Sequence, residues 1–243
     1  MKLIQSFLTN NPCYQANLKR QDARYTDFQR RGPVGLMLHS VGCAQPSAEV
    51  FVRRWNRTDY DRACVHAFID GNTGAVWQTL PWNYRGWHGG GSCNNTHIGV
   101  ELCEPDCLVY GSGASFTVRD RDRAVAVATR TRNAAVELFA MLCKQYSLDP
   151  MQAIVSHREG GKQGIASGHA DPEHLWSGLG LDWTMDDFRS MVRDRLHAED
   201  ADPSPGTQPL YRVQIGAFHN RAYAEAMLAK ARKQFPDAYL KKE

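Results

Sequence analysis

Three apolar runs in this chain are too short for helices, and each carries one chemically active residue at its end or in its middle. Val34-Gly35-Leu36-Met37-Leu38 ends on His39. Ile98-Gly99-Val100-Glu101-Leu102 is interrupted by a single carboxylate, and Ile154-Val155-Ser156 delivers His157. Short apolar runs bounded by turn residues read as buried strands. Between the second and third lies a long segment with Val125, Ala128, Ala135, Leu138, Phe139 and Leu142 at helical spacing, which predicts a helix from about Val118 to Tyr146, capped by Thr117. Strands separated by helices limit the chain to the α/β class.

The remaining segments refine that class. Val65–Asp70 and Ala75–Leu80 flank Gly71-Asn72-Thr73-Gly74 and read as a hairpin. A hairpin among strand–helix units predicts a mixed central sheet flanked by helices. Ser47–Trp55 reads as a helix capped by Ser47, Asp186–His197 as another, and residues 3–9 as a short helix or lead-in. Trp82 to Gly91 is a loop rich in glycine and aromatics.

At 243 residues the chain suits one ordinary domain, residues 1–197, and an appendage. Residues 198–209 hold three prolines and no apolar period, and read as a linker. Residues 210–243 follow as strand (Leu210–Gly216), helix (Arg221–Gln234) and strand (Ala238–Lys241), too little to bury a core alone. A net charge of +3, with no basic stripe interleaved with aromatics, argues against a nucleic-acid partner. No segment approaches membrane-spanning length, so no membrane partner is expected. The N-terminal stretch Met1–Asn11 has too short an apolar run for a signal peptide, so synthesis as a soluble cytoplasmic chain is expected. The seven cysteines are odd in number and scattered, with Cys103 and Cys107 the only close pair. That argues against a four-cysteine zinc site and points to reduced thiols, a Cys103–Cys107 bridge formed after release being the alternative.

His39, His157 and Asp171 are candidate ligands of a catalytic metal, because two histidines and one carboxylate leave a fourth position for water. Taken singly, each has an ordinary explanation: a satisfied histidine at a strand end, or a turn or cap residue before Pro172. His169, two residues before Asp171, competes for the third position. Glu101 is harder to explain structurally, since an unpaired buried carboxylate is costly. Trp87 and His88 line a groove or pack their loop; Asn94 and Asn95 contact a ligand or form a turn. His97 is expected to face solvent or stand behind a ligand, and His174, His197 and His219 to lie on the surface.

In order along the chain stand His39-Ser40, Val65-His66-Ala67-Phe68-Ile69, Arg85-Gly86-Trp87-His88-Gly89-Gly90, Asn95-Thr96-His97-Ile98-Gly99-Val100-Glu101, Ser156-His157-Arg158-Glu159 and Gly168-His169-Ala170-Asp171-Pro172. This series resembles the zinc-dependent N-acetylmuramoyl-L-alanine amidases of the type-2 class, whose fold is shared with phage amidase lysozymes and peptidoglycan recognition proteins. The resemblance covers roughly residues 30 to 180 and keeps the order of the motifs. It implies Zn2+ as cofactor, held by His39, His157 and Asp171. It implies Glu101 as the base that orients and deprotonates water, and His169, where relatives carry lysine or histidine, as the group facing the oxyanion. His66 matches a position facing the cleft and, with Trp87, His88 and Asn95, is implied to contact substrate.

The implied substrate is bacterial peptidoglycan, cut between N-acetylmuramic acid and L-alanine of the stem peptide by an endolysin or autolysin that reaches the wall after lysis or through a holin-type pore. A non-catalytic peptidoglycan receptor and a stem-peptide endopeptidase are the rival readings. Tyr211-Arg212-Val213-Gln214-Ile215-Gly216-Ala217-Phe218, followed by Ala224-Glu225-Ala226, looks like the first half of a sporulation-related (SPOR) repeat. That half implies glycan binding, or a homodimer in which each chain donates one half.

Overall fold

The structure is a computed structural model and describes residues 1–200 and 220–233. The chain divides into two compact units, Met1–Asp200 and Ala201–Glu243. The first begins with β1 (Leu3–Gln5), α1 (Pro12–Leu18), α2 (Ala23–Arg31), β2 (Gly35–Ser40), α3 (Ala48–Trp55), β3 (Ala67–Ile69) and β4 (Val76–Gln78). A 3-10 turn, Ser92–Asn95, leads into β5 (His97–Leu102), β6 (Leu108–Tyr110) and β7 (Phe116–Val118). Then come α4 (Arg121–Tyr146), α5 (Pro150–Ala153), β8 (Ile154–Ser156), α6 (His157–Lys162), α7 (Glu173–Gly178) and α8 (Met185–Asp200).

The main sheet has six strands in the order β1-β4-β3-β5-β2-β8. β3 and β4 pair antiparallel as a hairpin, and every other pair is parallel. The sheet is therefore mixed, as the hairpin predicts. Side chains alternate between its two faces. Leu36, Leu38, Ala67, Ile69, Ile98, Val100, Leu102 and Ile154 point to one face and bury against Ala128, Ala135, Leu138, Phe139 and Leu142 of α4 and Phe188 and Val192 of α8. Full burial of a Leu or Phe contributes about 1.5–3 kcal/mol, so this layer is the main source of stability. The alternate residues, Met37, His39, Gly99 and Glu101, point to the opposite face. There Phe68 stacks on Phe51 of α3, rings 5.0 Å apart.

Several expectations need correction. Residues 3–9 are not helical: Leu3–Gln5 form an edge strand along β4. Three residues carry too little periodicity to separate helix from strand, and the neighbouring strand decides. Thr117 does not cap the long helix. It lies in β7, opposite Val109 of β6, where its β-branched side chain suits a strand. The cap is Asp120, whose side chain accepts from Arg123 N–H at 3.0 Å. The last helix of the first unit starts at Met185, because Thr184 and Asp187 exchange side-chain and backbone hydrogen bonds as a capping box. It runs to Asp200, so Ala198–Asp200 extend the helix rather than begin a linker.

In the second unit α9 (Arg221–Ala231) is capped by Asn220, whose side chain accepts from Ala222 N–H. The expected strands at 210–216 and 238–241 and most of the expected linker lie outside the described residues. Among the described residues no helix is long and apolar enough to cross a membrane. All seven cysteines are free, and Cys107 Sγ donates to the Asp120 carbonyl at 3.3 Å.

Candidate active site

Three neighbouring strands deliver the site to the face opposite α4. His39 sits near the end of β2, and its register partner in β5 is Glu101. Paired residues project to the same face, so the imidazole and the carboxylate leave the sheet together. β8 flanks β2 on its other side, with Leu38 opposite Ser156. His157, the next residue, therefore emerges beside His39 as the first residue of α6. A capping box fixes that turn: Ser156 Oγ accepts from Glu159 N–H, and the Glu159 carboxylate accepts from Ser156 N–H, both at 3.0 Å. Asp171 arrives on the loop before α7. Its carbonyl accepts from Arg158 N–H at 3.1 Å, which ties that loop onto the first turn of α6.

His39 Nδ1 lies 3.0 Å from His157 Nδ1 and 3.3 Å from Asp171 Oδ2, and His157 Nδ1 lies 3.5 Å from Asp171 Oδ1. Zinc bonds to nitrogen and oxygen of 2.0–2.1 Å at tetrahedral angles separate neighbouring ligand atoms by about 3.3 Å. The three edges thus match one face of a zinc tetrahedron. All three residues are buried. Burial pushes the Asp171 carboxyl up, but its contacts with His157 and His39 outweigh this and hold it well below the ordinary carboxylate range. Burial lowers the His39 pKa, against contacts with Asp171 that raise it. A zinc ion requires neutral imidazole and ionised carboxylate ligands, and the shifts of His39 and Asp171 run in those directions.

Glu101 completes an acidic lining. Its Oε2 is buried without a hydrogen-bond partner. Burial pushes its carboxyl well above the usual value, and the charges of Asp171 and Glu104 push the same way. Such a group calls for a cation or a bound water opposite it. His169 is not among the grouped ligand atoms. It is exposed at the mouth, its ring stacked on His157 with centroids 4.1 Å apart, and its Nδ1 lies 3.1 Å from Ser167 Oγ.

The structure treats the remaining candidates unevenly. His66 does not face a cleft. It has no exposed surface; its Nε2–H donates to the Tyr84 carbonyl at 2.7 Å, and its Nδ1 accepts from Gly99 N–H at 3.0 Å. Burial lowers its pKa to about 4. It lies on the correct face of the sheet, but the Tyr84 loop covers it. His88 stands behind His39, its Nδ1 3.0 Å from His39 Nε2. Trp87 Nε1–H donates to Tyr25 Oη at 3.1 Å. Asn95 accepts from Arg85 Nε–H at 2.6 Å, and that guanidinium lies over the Tyr25 ring. Asn94 clasps its own loop by accepting from the backbone N–H groups of His88 and Gly89, at 2.8 and 2.9 Å.

His174 is not a surface residue: its side chain is 9% exposed and meets Tyr110 Oη at 2.9 Å and Glu104 at 3.7 Å. Ser167 and Glu104 carry no signal in the sequence. Ser167 Oγ lies 3.2 Å from His157 Nε2, on the far side of that ring from His39 and Asp171. Glu104 is fully buried, accepts from Tyr110 and from Gly42 N–H, and is pushed up to about 7 by burial. Both owe their place to contacts between distant loops.

The N-acetylmuramoyl-L-alanine amidase family matches residues 29–174, a span that includes His39, Glu101, His157 and Asp171. The SPOR domain matches residues 206–243. Among solved structures, the chain is similar to the hydrolase AmiA of Staphylococcus aureus in complex with its ligand, with a TM-score of 0.58 and 20% identity, covering 82% of this chain and 85% of that one. It is also similar to PlyL (TM-score 0.53, 20% identity, 79% and 97% covered) and to the PlyG catalytic domain (TM-score 0.51, 17% identity, 86% and 100% covered). At such identities the likeness is one of fold. No curated protein sequence matches the chain. With more than half of its length matched to one family, the chain belongs to the N-acetylmuramoyl-L-alanine amidases.

Proposed function

We propose that this protein is a zinc-dependent peptidoglycan hydrolase that cuts the amide between the lactyl group of N-acetylmuramic acid and L-alanine of the stem peptide. The observation that carries this reading is the set of three ligand atoms spaced 3.0–3.5 Å apart, with the unpartnered Glu101 carboxylate as register neighbour of His39. His39 and His157, through Nδ1, and Asp171 would hold the ion. Zinc bound there supplies a water of near-neutral pKa and a Lewis acid for the scissile carbonyl.

The chain's own groups do the rest. Glu101 accepts the proton of the attacking water and passes it to the departing amine of L-alanine, acting first as base and then as acid. Its raised pKa suits that exchange, because the carboxyl can hold the proton between the two steps. His169, exposed at the mouth and stacked on His157, offers an N–H toward the developing oxyanion. The SPOR match at residues 206–243 indicates peptidoglycan binding by the tail, which keeps the catalytic unit near an insoluble substrate.

Digestion of purified peptidoglycan, with and without a chelator, followed by mass analysis tests the reading. Expected products are glycan strands with free lactyl groups and stem peptides that begin with L-alanine, in the metal-replete arm only. Cuts inside the stem would assign an endopeptidase. Binding without products in either arm would assign a receptor.

A further inference from the structure

We propose that His88 is a positioning residue: it fixes His39 as an Nδ1 metal ligand by accepting the His39 Nε2 proton at its own Nδ1. The inference rests on the metal-site reading above and concerns the hydrogen-bonded chain behind the ligand.

That chain runs in one direction because it ends on a backbone carbonyl. His88 Nε2 lies 3.0 Å from the carbonyl oxygen of His97. A carbonyl only accepts, so Nε2 of His88 carries the proton. A neutral His88 ring then has a bare Nδ1, and this atom lies 3.0 Å from His39 Nε2. The shared proton therefore belongs to His39 Nε2, which leaves His39 Nδ1 bare where it faces His157 and Asp171. The reverse order would set a lone pair of His88 against the His97 carbonyl and place a proton of His39 where the metal must bind. A strand carbonyl in β5 thus selects the ligand tautomer in β2, with His88 as the link.

The ring is held in a built slot. A Cβ at residue 99 would stand 2.4 Å from His88 Cγ, and one at residue 86 would stand 2.9 Å from His88 Cδ2. Both positions are glycine, so the ring lies flat on β5 between His39 and His66, with centroids 5.1 and 5.9 Å away. Asn94 anchors the backbone at residues 88 and 89. Both ring nitrogens of His88 are used within the protein, so its role is to orient the ligand rather than to bind substrate.

Two substitutions separate positioning from packing. In His88→Asn the side-chain oxygen can occupy the place of Nδ1 and accept from His39, while the bond to His97 is lost. In His88→Gln the polar end occupies the place of Nε2, and the acceptor for His39 is lost. The readout is the dissociation constant for Zn2+ on the full chain, by competition with a chromophoric chelator, beside the thermal melt of each metal-free protein. We expect His88→Gln to weaken zinc binding about 10- to 100-fold, the usual effect of losing an outer partner of a ligand, and His88→Asn to stay within about 3-fold of wild type. Unchanged affinity in His88→Gln, or equal losses in both variants, overturns the inference. A wild-type chain that binds no zinc overturns the metal-site reading itself, which distinguishes the two failures.

Discussion

His39 and Glu101 are register partners on adjacent parallel strands, and both project from the sheet face opposite the long helix. The pairing places the buried His39 ring and a buried, unpartnered carboxylate oxygen side by side. Burying a carboxylate oxygen without a partner is costly, so Glu101 reduces the stability of the metal-free fold.

Glu101→Gln separates the two consequences. The amide keeps the shape but cannot take a proton from water, so turnover of purified peptidoglycan should fall about 10²- to 10⁴-fold. Zinc content should stay at the wild-type level, and the melting temperature of the metal-free protein should rise, because the desolvation that pushes the Glu101 carboxyl up is removed. A variant that keeps full turnover would remove Glu101 from the base role.

Much of this site is legible in the amino-acid sequence, for identifiable reasons. His39, Glu101 and His157 sit on or just after short apolar strands, whose period of two dictates which residues share a face. His66 shows where that rule stops: alternation assigns a face but not a depth, and the loop carbonyl of Tyr84 closes over the ring. His174 fails the same way, because its burial depends on Tyr110 and Glu104 arriving from another loop. Ser167 is invisible for a related reason, since its value lies in a contact with His157 ten residues earlier across an irregular turn. The start of α4 is misplaced by the sequence because Thr117 is a good cap residue, and only the pairing of β6 with β7 removes it and leaves the cap to Asp120.

Metal removal should be visible as lost stability. Ligand binding to the folded state alone stabilises by about 2.7 kcal/mol at a free concentration 100 times Kd. The melting temperature should therefore fall on chelation and recover on adding Zn2+. Asp171→Asn, which removes the one anionic ligand, should abolish that response and weaken zinc binding by more than the roughly 100-fold typical of outer partners. His197→Ala, at an exposed position on α8, should respond like wild type. A melting temperature indifferent to chelator in the wild type would contradict the metal assignment.

Glu104 makes a separate prediction about pH. Its carboxyl is raised from 4.5 to about 7 by burial, so the folded state holds a proton that the unfolded chain releases. Its contribution to stability is then fully present below about pH 4.5 and is lost as pH rises through about 7. Glu104→Gln cannot ionise and should be the more stable protein at pH 8, by up to about 3 kcal/mol, with the difference shrinking toward pH 4.5. Melting curves of both proteins in chelator, where no cation offsets the carboxylate, measure that difference directly. Burial also lowers His66, to about 4, which weakens both proteins equally in acid and cancels in the comparison. A constant offset across the pH range would mean that Glu104 keeps its ordinary pKa.

Gly99→Ala should damage the site without touching a ligand. The added methyl would stand 2.4 Å from Cγ and 2.5 Å from Nδ1 of His88, distances that real Cβ atoms do not tolerate, so the ring must move. Overpacking of this kind typically costs about 1–3 kcal/mol, and the moved ring is the one that accepts from His39. Lower stability should therefore come with weaker zinc binding. Gly113→Ala is the control, because it strains a left-handed backbone but leaves nothing within 4 Å of the new methyl. It should lose some stability to the φ of 62° and keep its affinity for zinc. Equal zinc affinity in both variants would show that the space over β5 serves packing alone.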